Sequence, residues 1–162
     1  MNRISKDTKA LWNLYNLIND RDNVPDPNDS GGNRKFVYRR IPNIGRNFAG
    51  FPFIVVSRTR PTKIGNTADL SKKFNSYDFT VTIFSQDSSS DSSGNPSGVD
   101  TTDIISNNII NTLDNKSNRK TLIDYGMAHL EYNVDNDEEE LDEKTVFTTE
   151  FDIRFENNLI SV

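Results

Sequence analysis

The sequence has no cysteine. Disulfides, a thiolate nucleophile and a thiolate zinc site are therefore excluded. It has a single histidine, His129. One imidazole cannot build the usual histidine-based metal site, and no Ser-His-Asp set has recognisable local context. Long apolar runs are also missing. The longest purely aliphatic run is Ile54-Val55-Val56, far short of the roughly 20 residues that span a membrane as a helix. The start, Met1-Asn2-Arg3-Ile4-Ser5-Lys6-Asp7, is polar and holds no apolar core of signal-peptide length. The expectation is a soluble protein made in a cytoplasm. A virion component or a disulfide-free secreted protein would read the same way.

Phosphate-cradling glycine loops are absent as well. Gly31-Gly32 and Gly45…Gly50 follow neither the dinucleotide nor the P-loop pattern. The acidic pieces Asp135-Asn136-Asp137 and Asp87…Asp91 lack the glycine and the spaced glutamate of a calcium loop. Glu150 and Asp152 share a strand face but show no sign of the cleft that acid–base chemistry needs. The expectation is a protein with no catalytic residues, no cofactor and no metal.

What is present is a strong charge asymmetry. Net charge is -5 from 19 basic and 24 acidic residues. Residues 30–68 hold eight basic residues and no acid: Arg34, Lys35, Arg39, Arg40, Arg46, Arg58, Arg60 and Lys63. The remaining positions carry 11 basic against 24 acidic residues, a local balance of -13. Such a chain can offer opposite charges to two neighbours, or to copies of itself.

The length, 162 residues, suits one domain over 1–162, which buries roughly 70% of its unfolded surface. Leu11, Leu14, Tyr15 and Ile18 predict a helix over Ser5–Asp20, capped by Ser5. Asp20–Gly32 reads as a loop. Strands are expected at Lys35–Ile41, at Phe51–Arg60 with Pro52 at its start, and at Tyr77–Ser85, where Phe79, Val81 and Ile83 alternate with Asp78, Thr80 and Thr82. Residues 85–99 are nearly devoid of apolar groups and are expected to form a mobile loop, not a domain linker. A second helix is expected over Asp100–Asp114, capped by Asp100 or Thr101, and Ser117–Tyr125 adds a helical turn or two stopped by Gly126.

Met127–Val134 and Thr145–Glu156 predict a hairpin. Phe147, Thr149, Phe151, Ile153 and Phe155 alternate with Val146, Thr148, Glu150, Asp152 and Arg154, the cleanest period of two in the chain. Residues 135–144 are expected to be the acidic connection of that hairpin. The elements predict an α+β fold, with a curved, mostly antiparallel sheet of about four or five strands and two or three helices packed on one face.

This layout resembles the tail terminator (tail completion) proteins of long-tailed bacteriophages and related viruses. The resemblance rests on element order and texture over most of the chain. It takes in helix Ser5–Asp20, Phe51-Pro52-Phe53-Ile54-Val55-Val56-Ser57, Tyr77-Asp78-Phe79-Thr80-Val81-Thr82-Ile83-Phe84, helix Asp100–Asp114, and the closing pair Glu131-Tyr132-Asn133-Val134 and Thr149-Glu150-Phe151-Asp152-Ile153-Arg154-Phe155. The segments 85–99 and 135–144 look long for the family. The resemblance implies a non-enzymatic virion protein. It forms a ring, usually of six copies, that caps the tail tube, stops its polymerisation and offers a joining surface to head-completion or neck proteins. DNA passes through without specific binding, and no membrane is involved.

Ring closure needs one surface to meet a different one on the next copy. Interface candidates are Arg39, Arg40, Arg46, Arg58, Arg60, Glu150, Asp152 and Arg154. Candidates for a lumen lining that repels DNA are Glu138, Glu139, Glu140 and Asp142. The residues leave open a neighbouring connector part (a head-closure or tail-tube subunit) and a nucleic-acid-binding module using the 30–68 region, where Tyr38, Phe48 and Phe51 interleave with arginines.

Overall fold

A computed structural model describes residues 6–28, 34–43, 49–58, 63–66, 73–87, 98–125, 127–141 and 144–159. The first helix, α1 (Lys6–Asn19), buries Ala10, Leu14 and Ile18, three residues spaced by one turn on a single face. It ends where the Asp20 carbonyl receives the Asn23 and Val24 amides and the Asp20 side chain takes the Asp22 amide at 3.1 Å. The proposed Ser5 cap lies outside the described residues.

Two strands follow, β1 (Val37–Tyr38) and β2 (Phe53–Arg58). They pair in parallel, Val37 with Ile54 and Tyr38 with Val55. β1 is much shorter than the expected Lys35–Ile41, because the chain leaves the ladder after Tyr38 and Arg39 stacks its guanidinium over the Trp12 ring at 4.5 Å. β2 starts directly after Pro52, as a residue without a ladder donor requires. The short β3 (Lys63–Asn66) was not anticipated and pairs with the start of the long β4 (Lys73–Gln86).

Helix α2 (Gly98–Asp114) begins earlier than expected, so Asp100 and Thr101 lie inside its first turn instead of capping it. Ile105, Ile109 and Leu113 form its buried stripe, whereas Ile104 stays exposed. Gly98 has φ of +51°, and a Cβ there would lie 2.8 Å from the Phe147 ring and against the Asp87 carboxylate. Gly98→Ala is therefore expected to cost about 1–2 kcal/mol from the left-handed backbone alone, more if Phe147 cannot shift; chemical denaturation of the variant measures it.

Helix α3 (Lys116–Asp124) is separate from α2, with Asn115 as its cap. The Asn115 side chain accepts the Ser117 and Asn118 amides at 2.9 and 3.3 Å. Asn118 and Arg119 in turn donate to the Thr112 and Leu113 carbonyls at the end of α2, satisfying groups a helix terminus leaves open. Gly126, the expected stop, lies outside the described residues.

The last two strands are β5 (Ala128–Leu141) and β6 (Lys144–Leu159). The closing strand is as expected, and longer. The connection is not: residues 135–141 are strand, paired from Asp135–Glu150 to Leu141–Lys144. A run of carboxylates reads as solvated loop, but here the backbone is held by its neighbour strand, so the acidic run forms half of a sheet edge. At the other end of β5, His129 bulges with φ of 48° between the pairs Ala128–Glu156 and Leu130–Phe155. Histidine tolerates this region better than most residues.

The strands run in the order β1-β2-β4-β6-β5, with β3 on β4 beside that path. Among the described strands only β1 and β2 pair in parallel. The fold is thus α+β with a mostly antiparallel, open sheet. Leu14, Ile18, Ile105, Ile109, Leu113 and Leu122 from the helices meet Ile54, Val56, Phe79, Val81, Ile83, Phe151, Ile153 and Phe155 in one cluster. The three described helices therefore cover the same sheet face. Of the segment expected as a mobile loop over 85–99, its ends belong to β4 and α2 and residues 88–97 lie outside the described residues. Among the described residues no helix is long and apolar enough to cross a membrane.

Candidate functional site

Among the described residues the opposite face of the sheet carries no helix, and which side chains lie on it follows from strand register. One row across it runs Tyr38, Val55, Thr82, Glu150, Asp135. The next runs Phe53, Phe84, Thr148, Asp137, and a third runs Ser57, Thr80, Asp152, Asn133. Each row passes from apolar or small residues at β2 to polar and acidic ones at β6 and β5. A second, smaller apolar cluster of Tyr38, Phe53 and Val55, with Phe51 and Phe84 against it, marks the β1–β2 side. Phe53 and Phe84 stack with centroids 4.7 Å apart.

The arginines of the 30–68 region divide in two. Arg34 is consumed inside the protein. Its Nε and Nη2 donate to Asp26 at 2.6 and 2.7 Å, and its other hydrogens reach the carbonyls of Gly50 at 2.9 Å and Pro52 at 2.7 Å. The Asp26 side chain is completely buried. This pair locks the 20–28 loop to the segment entering β2, and nothing in the sequence flagged it. Arg39 is half-buried over Trp12, where it also opposes the rise that burial gives the Tyr15 phenol pKa. Arg40 and Arg58 are exposed. Arg46 and Arg60 lie outside the described residues.

Glu150, Asp152 and Arg154 form an outward column on β6 of the helix-free face. Arg154 donates to Asp78 Oδ1 at 2.8 Å, and that hydrogen bond, with the carboxylate's charge, pushes the guanidinium pKa further up. Asp78 is buried, and among the described residues its other oxygen has no hydrogen-bond partner. Asp78, Glu131, Asn133, Asp152 and Arg154 line a polar recess of about 520 Å³. Asp135 stands directly opposite Glu150, an arrangement of like charges that weakens a sheet. Glu138 is exposed. Glu139 and Glu140 are backbone-paired toward the hairpin tip, and Asp142 lies outside the described residues.

A second recess, about 470 Å³, lies between the segment leaving β1 and the β6 column. Arg40 and Ile41 stand on one side, Glu150 on the other, and Val55, Thr82 and Phe84 line it as well. The structure thus brings Arg40 and Glu150 to one recess and places Asp152 and Arg154 at another. Alternation in the sequence pointed to the column but not to the recesses, which depend on strand order. Among the described residues no group of three or more His, Cys, Asp or Glu is placed to hold a metal.

Fold and face together define a class: an open α+β sheet domain with helices on one face and, among the described residues, none on the other, whose rows run from an apolar cluster at β1 and β2 to acidic residues at β6 and β5. A scan against protein-family models finds no match, and a search of curated proteins finds none.

Proposed function

We propose that the chain is a virion structural protein of the tail terminator type. It caps the tail tube as a homo-oligomeric ring, halts tube growth and presents a joining surface to a head-completion or neck protein. Its site of action is the head-proximal end of the tail, after synthesis in the host cytoplasm. The supporting observation is the placement of charge. The acidic run lies on β5, one end of the strand order, while Lys35 and Arg40 flank β1 at the other. A subunit whose two edges carry opposite charge suits head-to-tail contacts, the geometry that closes rings.

The cross-strand Asp135–Glu150 repulsion fits this reading, because a sheet serving only its own stability has little use for it. On the same reading Glu138, Glu139, Glu140 and Asp142 face the lumen and keep DNA from gripping the wall. The nucleic-acid alternative loses one cation of the 30–68 region, because Arg34 is committed to Asp26. Another connector role, head closure or tail tube, shares the same geometry and is separated by partner choice. The test is solution mass with and without tail-tube protein. A ring, or a complex that caps the tube and stops its elongation, is expected; a monomer that ignores the tube and binds DNA would overturn the proposal.

A further inference from the structure

The polar recess across β4, β6 and β5 is short of positive charge. Asp78, Glu131 and Asp152 line it, three carboxylates against the one guanidinium of Arg154. Asp78 is only 8% exposed. Its Oδ1 accepts the Arg154 Nε hydrogen, and among the described residues its Oδ2 has no partner. A buried carboxylate oxygen in that state is costly. Glu131, Asn133 and Asp152 line the same recess and are exposed. Among the described residues these acids are not grouped to hold a metal. A guanidinium suits them better, because its hydrogens lie in one plane and reach several acceptors at once.

The chain also presents a guanidinium without a partner. Every other described arginine has a hydrogen bond, an ion pair or a ring contact, and Arg40 has none. Within its own chain Arg40 shares the second recess with Glu150 but does not pair with it. Beside it Ile41 is 71% exposed. Arg40 and Ile41 follow β1, at one end of the strand order, whereas the polar recess lies toward the other end.

We infer that Arg40 of one copy enters the polar recess of the next copy. Its guanidinium donates to Glu131 and Asp152, its charge offsets the unpaired oxygen of Asp78, and Ile41 shields the contact from water. The contact is heterologous: arginine and recess are different surfaces, so each copy can engage two neighbours at once. It rests on the ring reading and names the joint that closes the ring. Charge-assisted pairs of this kind fix register and partner choice.

The test uses the full chain and measures self-association by sedimentation, with added tail-tube protein if assembly needs it. Arg40→Glu and Asp152→Arg should each weaken assembly by about tenfold or more. Melting of both variants should stay close to that of the parent, since both side chains are exposed. An equimolar mixture of the two variant chains should recover rings, because alternating copies then set the reversed charges against each other. Both changes in one chain should recover them as well.

Rings that form equally well from each variant alone would overturn this contact and leave the ring reading standing. Variants that fail alone and also fail when mixed would overturn it too. No assembly by the parent, alone or with tube protein, would overturn contact and ring together. Parent-like rings of Asp152→Arg that no longer cap the tube would assign the recess to a cation of the tube protein and overturn the contact between copies.

Discussion

Arg34→Ala should lower stability by about 3–5 kcal/mol, the usual cost of removing one partner from a buried ion pair. The Asp26 side chain has no exposure, and Arg34 keeps only 15%. Without the guanidinium, a buried carboxylate loses two charge-assisted hydrogen bonds, and the carbonyls of Gly50 and Pro52 lose their donor. For a chain of this length the melting temperature should fall by roughly 10 °C. Salt should change the loss little, since a buried pair is poorly screened. Arg34→Met with Asp26→Leu should cost less than the two single changes added together, because residues in direct contact couple by about 0.5–3 kcal/mol. The Arg119–Asp114 bridge, 2.9 Å long but with both side chains more than 40% exposed, is the contrasting case. Exposed pairs of that kind contribute up to about 1 kcal/mol. Urea melts of the single and double variants decide the matter; additive losses would show that Asp26 is satisfied without Arg34.

Phe151→Ala should cost about 3–5 kcal/mol, and Phe147→Ala clearly less. Both sit on the same face of β6, two pairs apart in the alternation. Phe151 is fully buried, opposite Val81 on β4 and Val134 on β5, with the Tyr132 ring 6.4 Å away. Phe147 is only half-buried, near the mouth of α2 beside Gly98. The core therefore ends between them, although the sequence pattern treats them alike. Denaturant melts measure the difference; equal losses would mean that the core extends to the start of β6.

Alternation and helical spacing made most of the fold readable. The apolar faces of β4, β6, α1 and α2 were all visible as periods, because burial on one side imposes them. What escaped reading depends on partners distant in sequence. The acidic half of β5 has loop composition and becomes strand only through β6. The four residues of β3 contain a single large apolar side chain, Ile64, too little pattern to register. The Arg34–Asp26 pair joins two loop residues whose burial is supplied by the Gly50–Pro52 segment. In the candidate site, the column Glu150, Asp152 and Arg154 was legible from alternation alone. Its division between two recesses was not, because Arg40, Asp78 and Glu131 arrive from other parts of the chain. Charge counting included Arg34 among the basic residues of 30–68, and the fold commits it to the buried Asp26.

The measurement that bears most directly on the ring reading is sedimentation of the chain with preassembled tail-tube protein, over a range of salt. The expected result is one ring of copies bound at a tube end, arrested tube growth, and loss of that particle as salt rises or when Arg40 is reversed to glutamate. A chain that stays monomeric beside the tube, leaves elongation unchanged and sediments with DNA would contradict it.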